Sequence, residues 1–220
     1  MNILLLLSIL IICLLSLYVS YKYYDKQGIL ITLLTMVPLS VIMSYKVIDV
    51  LNIKFNLGIV FEVIIIAMYI IFKEGNSKSK INLIKIIGSC LLCTLIILII
   101  NSLYETSVDD MQGINLKILF LDNYRVMIGS GISLMGGVLL TDLGYKLFSN
   151  ISKNYVFKII IIEIVVMLLN SICMVVIAYL NILKANEIIG LFFGNYIFKL
   201  VIFSICIPMI DYILKKKVEA

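Results

Sequence analysis

The sequence predicts an all-α integral membrane protein, a single bundle of six to seven transmembrane helices that takes up residues 1–220 as one domain. Three observations carry this. Hydrophobic residues make up 63% of the chain and charged residues 14%, against about 45–50% and about 25% in soluble domains. Such an excess cannot be hidden in one core, because a chain of this length leaves much of its surface exposed. The apolar residues also come in long unbroken runs of roughly 20, the length a helix needs to cross hydrocarbon. Strands of a membrane barrel would alternate instead, in segments of about ten.

Seven spans follow in order. Residues 2–20 open Met1-Asn2-Ile3, with no basic leader and no A-x-A-like cleavage site, so this segment reads as a retained helix. The second and third spans cover 29–46 and 57–73. The fourth to seventh cover 83–103, 125–148, 155–180 and 188–213. Pro38 and Pro208 fall inside the second and seventh, where each removes a backbone donor and bends its helix. The carbonyls freed at such kinks can line a cavity. Gly129, Ser133 and Gly137 recur every four residues in the fifth span, and Gly190 and Gly194 form a G-x-x-x-G in the seventh. Both patterns let helix backbones approach closely.

Orientation follows from the lysines. The 73–82 link carries Lys73, Lys78 and Lys80, the 149–157 link carries Lys153, and the tail carries Lys215, Lys216 and Lys217. The 104–124 link is acidic, with Glu105, Asp109, Asp110 and Asp122 against Lys117. Basic links stay in the cytoplasm, so seven spans put the C-terminus inside and the N-terminus outside. Lys22 and Lys26 then lie inside, and the nearly neutral 47–56 link, with Asp49 and Lys54, lies outside. Seventeen lysines to one arginine suggest a low-GC bacterium, hence a bacterial plasma membrane.

Several function classes lose support at this stage. The net charge is +5, but the basic residues are scattered among links and helix ends, whereas nucleic-acid binding needs a concentrated basic face. Cys13, Cys90, Cys93, Cys173 and Cys206 all lie in apolar runs. Without histidine or a second pair, Cys90-x-x-Cys93 reads as small apolar filler rather than a metal or redox site. Hydrolase, zinc-protease and P-loop motifs are missing, so the expectation is no enzyme, no metal and no cofactor.

Polar groups inside spans are costly and by default face the bundle interior or a cavity. They are Lys46, Glu62, Arg125, Asp142, Glu163, Asn170, Asn195, Lys199 and Asp211. Lys46, Arg125 and Asp211 lie near helix ends, where snorkelling to the headgroups is the rival reading. Glu62 fits the outer interface equally well. Glu163 and Asn170 share one face of the sixth span, and Asn195 neighbours Lys199 on the seventh. Asp142 is placed to meet Lys199 across the bundle. Interhelical glue and the lining of a polar cavity both account for such groups. The site candidates are Asp142, Glu163, Asn170, Asn195 and Lys199, with Arg125 as an added donor.

The order of these marks resembles the queuosine precursor transporter family, also called VUT, over nearly the whole chain. Ser44-Tyr45-Lys46-Val47-Ile48 is similar to that family's lysine-bearing helix end, and Asn56-Leu57-Gly58 to the entry of its next span. Asp109-Asp110-Met111-Gln112, Leu119-Phe120 and Tyr124-Arg125 resemble the loop and arginine that open its following helix, with Gly129-Ser130 after them. Asp142 and Phe148 look like that helix's closing Asp and Phe. Tyr196, Lys199, Pro208 and Tyr212 look like the terminal Y-x-x-K and later P-x-x-x-Y. The chain departs from the pattern at Met68, Tyr69 and Lys73, where the family has a T-D-x-x-x-E-x-Y-G-like run and only Glu74-Gly75 is left as a trace. It departs again at Ile207 and Asn170, where a small polar residue and an acid are usual.

The resemblance implies import of a 7-deazaguanine-type base or a related flat heterocycle. Thirteen Tyr and ten Phe offer stacking faces, Asp142, Glu163, Asn170 or Asn195 would accept from an amino edge, and Lys199 or Arg125 would donate to a carbonyl. The expected cavity lies near the midplane between the fifth, sixth and seventh spans. Two other classes stay open: a substrate-binding subunit energised by a separate ATPase partner, and a non-transporting membrane interaction protein. A homodimer through the G-x-x-x-G face is compatible with the sequence. So is proton carriage by Asp142 or Glu163, although facilitated diffusion needs no coupling residue.

Overall fold

A computed structural model describes residues 2–74, 82–103, 124–148 and 155–218. The chain is an all-α membrane bundle. Its helices are α1 (Asn2–Asp25), α2 (Gln27–Met43), α3 (Ile59–Glu74), α4 (Leu83–Leu103), α5 (Tyr124–Leu147), α6 (Tyr155–Tyr179) and α7 (Ala185–Val218). Five of them are long and apolar enough to cross a membrane: α1, α4, α5, α6 and α7. Large side chains such as Leu4, Ile12, Leu92 and Ile97 are exposed along them, as a lipid-facing surface requires. Residues 104–123 of the acidic link, Lys78, Lys80 and Lys153 lie outside the described residues.

The link expected between the first two spans is almost absent. α1 runs on to Asp25, whose backbone (φ 47°, ψ −122°) lies outside the helical region and breaks the helix, and α2 starts at once. Gly28 lies so close to Ser20 that a Cβ would overlap the Ser20 carbonyl. Asn2 Nδ2 donates to the Asp49 carbonyl just beyond α2, at 2.9 Å, so the two helices run antiparallel.

α3 is the axis of the bundle. Every residue from Ile59 to Phe72 is buried, and the Asn2–Met43 helix pair, α5 and α7 pack around it. A helix apolar all round belongs in such a place. Its 16 residues span about 24 Å, less than the roughly 30 Å of hydrocarbon.

The segment expected to be a simple outer link is instead a β-hairpin. β1 (Val47–Val50) pairs antiparallel with β2 (Ile53–Asn56), in the register Val47↔Asn56 to Val50↔Ile53. Leu51 and Asn52, at φ 56° and 63°, make the two-residue turn whose twist suits a hairpin. The hairpin lies on α7, where Phe55 stacks on Phe198 with ring centroids 3.8 Å apart. Gly194 makes this possible, since a Cβ there would overlap the Lys54 carbonyl. The G-x-x-x-G therefore receives a hairpin rather than a helix at Gly194, and Gly190 has nothing within 4 Å of its Cβ position. The α5 stripe does serve a helix crossing. Gly129 meets Met174 and Ala178 of α6, and Gly137 meets Asn170.

Pro38 and Cys90 explain one another. Proline at 38 cannot donate to the carbonyl of Leu34, four residues back, and the Cys90 thiol of α4 lies 3.6 Å from that oxygen. This cysteine is more than filler.

Candidate functional site

Four helices each place one polar side chain at the same buried point. Glu62 stands in the first turn of α3, where the helix dipole favours an acid. Lys199 of α7 lies 2.9 Å from its Oε2. Asn170 of α6 bridges the pair, with Nδ2 donating to Glu62 Oε1 and Oδ1 accepting from Lys199 Nζ at 2.9 Å. Ser133 of α5 touches both Glu62 Oε1 and Asn170 Oδ1. Its hydroxyl has one hydrogen, so it donates to one of them at a time. All four residues are buried. A buried charge is tolerated only when paired and hydrogen-bonded, and here both charges are.

A second layer lies toward the hairpin. Asn195, one turn before Lys199, accepts from the Asn56 backbone N–H at 2.9 Å and donates back to Asn56 Oδ1 at 3.1 Å. Asn56 Nδ2 reaches both the Ser44 carbonyl and the Tyr179 hydroxyl. Beyond Tyr179 opens a cavity of about 630 Å³ between the hairpin, the end of α6 and the start of α7. Its wall includes Asn52, Lys54, Leu183, Glu187 and Phe193. That volume is in the range of small-molecule sites, and apolar walls with a few polar groups suit a flat amphipathic ligand.

Toward the opposite end the polar groups continue along α5. The Thr141 hydroxyl donates to Glu163 Oε1 of α6 at 2.9 Å. One residue on, Asp142 is held by Lys73, by Lys146 at 2.7 Å and by the Tyr69 hydroxyl at 2.6 Å. At the same end Tyr155 and Lys215 bind Asp211.

The candidates thus separate into groups. Asn170, Asn195 and Lys199 come together, joined by hydrogen bonds to Glu62 and Asn56. Asp142 does not meet Lys199; two lysines at its own end of the bundle take it. Glu163 stands between the two groups. Arg125, half-buried in the first turn of α5, has no hydrogen bond to any of them among the described residues. Glu62, read as equally suited to the outer interface, is central. The available signal was its isolation in a helix with no polar face, which leaves an acid only an interior partner. Ser133 counted as a packing residue, and its hydroxyl gave no sequence signal of its own.

Comparison with protein-family models, curated proteins and solved structures gives no match to this chain.

Proposed function

We propose that this membrane protein is a transporter that imports a small flat heterocycle, with a queuosine precursor of the 7-deazaguanine type as the first substrate to test. The observation that carries the reading is the buried Glu62–Lys199–Asn170–Ser133 cluster. It holds carboxylate and amide acceptors beside ammonium and amide donors, the pairing set that the polar edge of such a base uses. Intramembrane ionisable groups of this kind mark substrate and ion pathways. The family resemblance supplies the substrate class.

In this reading the cavity at the hairpin is the entry, and the base passes from it by exchanging partners with Asn56, Asn195 and then the cluster. The hairpin end is outside and the Asp142 end cytoplasmic, in keeping with the basic links. No ATPase partner is required.

The test is uptake of labelled 7-deazaguanine by the purified protein in liposomes, with a thermal-shift screen of deazaguanines, purines and small vitamins. A ligand at one hundred times its Kd stabilises the native state by about 2.7 kcal/mol. Uptake by the wild type, abolished by Lys199→Ala or Asp142→Ala when uptake is expressed per folded protein recovered in the liposomes, is the expected result. A folded sample with neither a thermal shift nor uptake overturns the reading. A shift with a different heterocycle alone keeps the transporter and replaces its substrate.

A further inference from the structure

The two buried acids among the described residues have unequal surroundings. Glu62 has an ammonium against it. Glu163, wholly buried, has one hydroxyl partner, Thr141, on Oε1 and no hydrogen-bond partner on Oε2 among the described residues. An unpartnered buried polar atom costs more than an apolar side chain of the same shape, so packing gives no reason for an acid at this point.

The surroundings indicate what Oε2 takes. A calcium or magnesium ion takes about six to eight oxygens. Here the described side-chain oxygens in hydrogen-bond contact with Glu163 amount to Thr141 Oγ1 alone, and no cluster of metal-ligating side chains exists among the described residues. A proton needs no such shell. We propose that Glu163 is a proton-carrying site, loading a proton on Oε2 and exchanging it with the Asp142 end of the bundle, and that this proton couples to transport.

The path toward that end is marked. Tyr145, one turn beyond Thr141 on α5, is buried and its hydroxyl also has no partner among the described residues. Lys73 and Lys158 stand 5.1 Å and 4.8 Å from its ring centroid, and Lys73 in turn holds Asp142. Tyr145 therefore lies between the buried acid and a cluster whose Lys146 is mostly exposed. The ionisable group shown facing Glu163 is Tyr145 on α5, which in turn faces Tyr69 and Glu74 on α3 and carries Lys73 and Lys158 over its ring; Asp142 follows the Thr141 that binds Glu163. On α7, Lys199 and Asp211 lie about two turns away in either direction, beside Asn170 and Tyr155. Asp142, the other acid suited to the role, is occupied by two lysines and a tyrosine. In each cycle an O–H bond forms at Oε2 with a proton from one side and breaks to release it to water on the other.

The proton site stands without the substrate assignment, whereas its coupling rests on the proposed transport. Infrared difference spectra of the full-length protein between acidic and alkaline buffer test the site directly. A carboxylic-acid carbonyl band that vanishes in alkali is expected in the wild type. It should be absent in Glu163→Gln and restored at a shifted frequency in Glu163→Asp. No such band in the wild type, or an undiminished band in Glu163→Gln, overturns the proposal. In liposomes, an inward proton gradient should stimulate wild-type 7-deazaguanine uptake severalfold and Glu163→Gln uptake not at all. Equal stimulation of both overturns the coupling. The infrared band without 7-deazaguanine uptake removes the substrate assignment and leaves the proton site standing.

Discussion

Asn195 and Asn56 bind each other twice: the amide oxygen of Asn195 takes the backbone N–H of Asn56, and its NH2 donates back to the Asn56 side chain. The hairpin is thereby pinned to α7 one turn from Lys199, so the cavity mouth and the buried cluster share a helix. Gly194→Ala should lift the hairpin, because the new methyl overlaps the Lys54 carbonyl. Overpacking of this kind costs about 1–3 kcal/mol. Hydrogen exchange at residues 53–56 should accelerate, while Gly190→Ala, with nothing near its Cβ, leaves it unchanged.

The ion pair itself can be separated from its packing. Lys199→Ala leaves Glu62 buried without its cation and should destabilise the protein by about 3–5 kcal/mol. Replacing both partners, Glu62→Gln with Lys199→Met, should recover most of the thermal stability in detergent. It should not recover uptake. A double variant that transports normally would reduce the pair to structural glue.

Gly137→Ala addresses the bridging amide. A Cβ at 137 would stand 2.5 Å from Asn170 Nδ2, forcing the amide away from Glu62. We expect a loss of about 1–3 kcal/mol and a larger fall in substrate affinity than Gly129→Ala causes. At Gly129 the nearest atoms are 3.4 Å away, and melting curves with and without ligand measure both effects.

The spans were legible because lipid imposes one crude demand on every residue of a helix surface. The fourth span was read as 83–103 and the sixth as 155–180, against helices at Leu83–Leu103 and Tyr155–Tyr179. The hairpin was not legible. Its turn is Leu51-Asn52 rather than a glycine pair, and a leucine with positive φ has no signal in sequence. Spacing along a helix also revealed which polar groups share a face, as for Asn195 and Lys199, but not which helix they face. By sequence Asp142 is placed to meet Lys199 and Glu62 fits the outer interface equally well, and only the packing of α3 at the centre brings Glu62 to Lys199 instead.

The proline inside α2 yields a double-mutant cycle. Cys90→Ala should leave the Leu34 carbonyl without its donor and cost about 0.5–1.5 kcal/mol, whereas Cys90→Ser keeps a donor and costs less. With Pro38→Ala the backbone N–H returns to serve Leu34, and Cys90→Ala should then be nearly neutral. Equal costs in both backgrounds would show that the thiol does not serve the Leu34 carbonyl.

The sheathing of α3 bears on how the protein is made. Residue 199 leaves the ribosome 137 residues after residue 62 (199 − 62), behind α4, α5 and α6. Through that interval the Glu62 carboxylate is already in the membrane and its counter-ion does not yet exist. Nor can a helix of 16 residues walled on every side take its final place until its neighbours have arrived. The axis of the finished bundle is thus among its last parts to settle, and assembly must pass through a stage in which the insertion machinery, or water held within it, shelters an acid that the mature protein neutralises for itself.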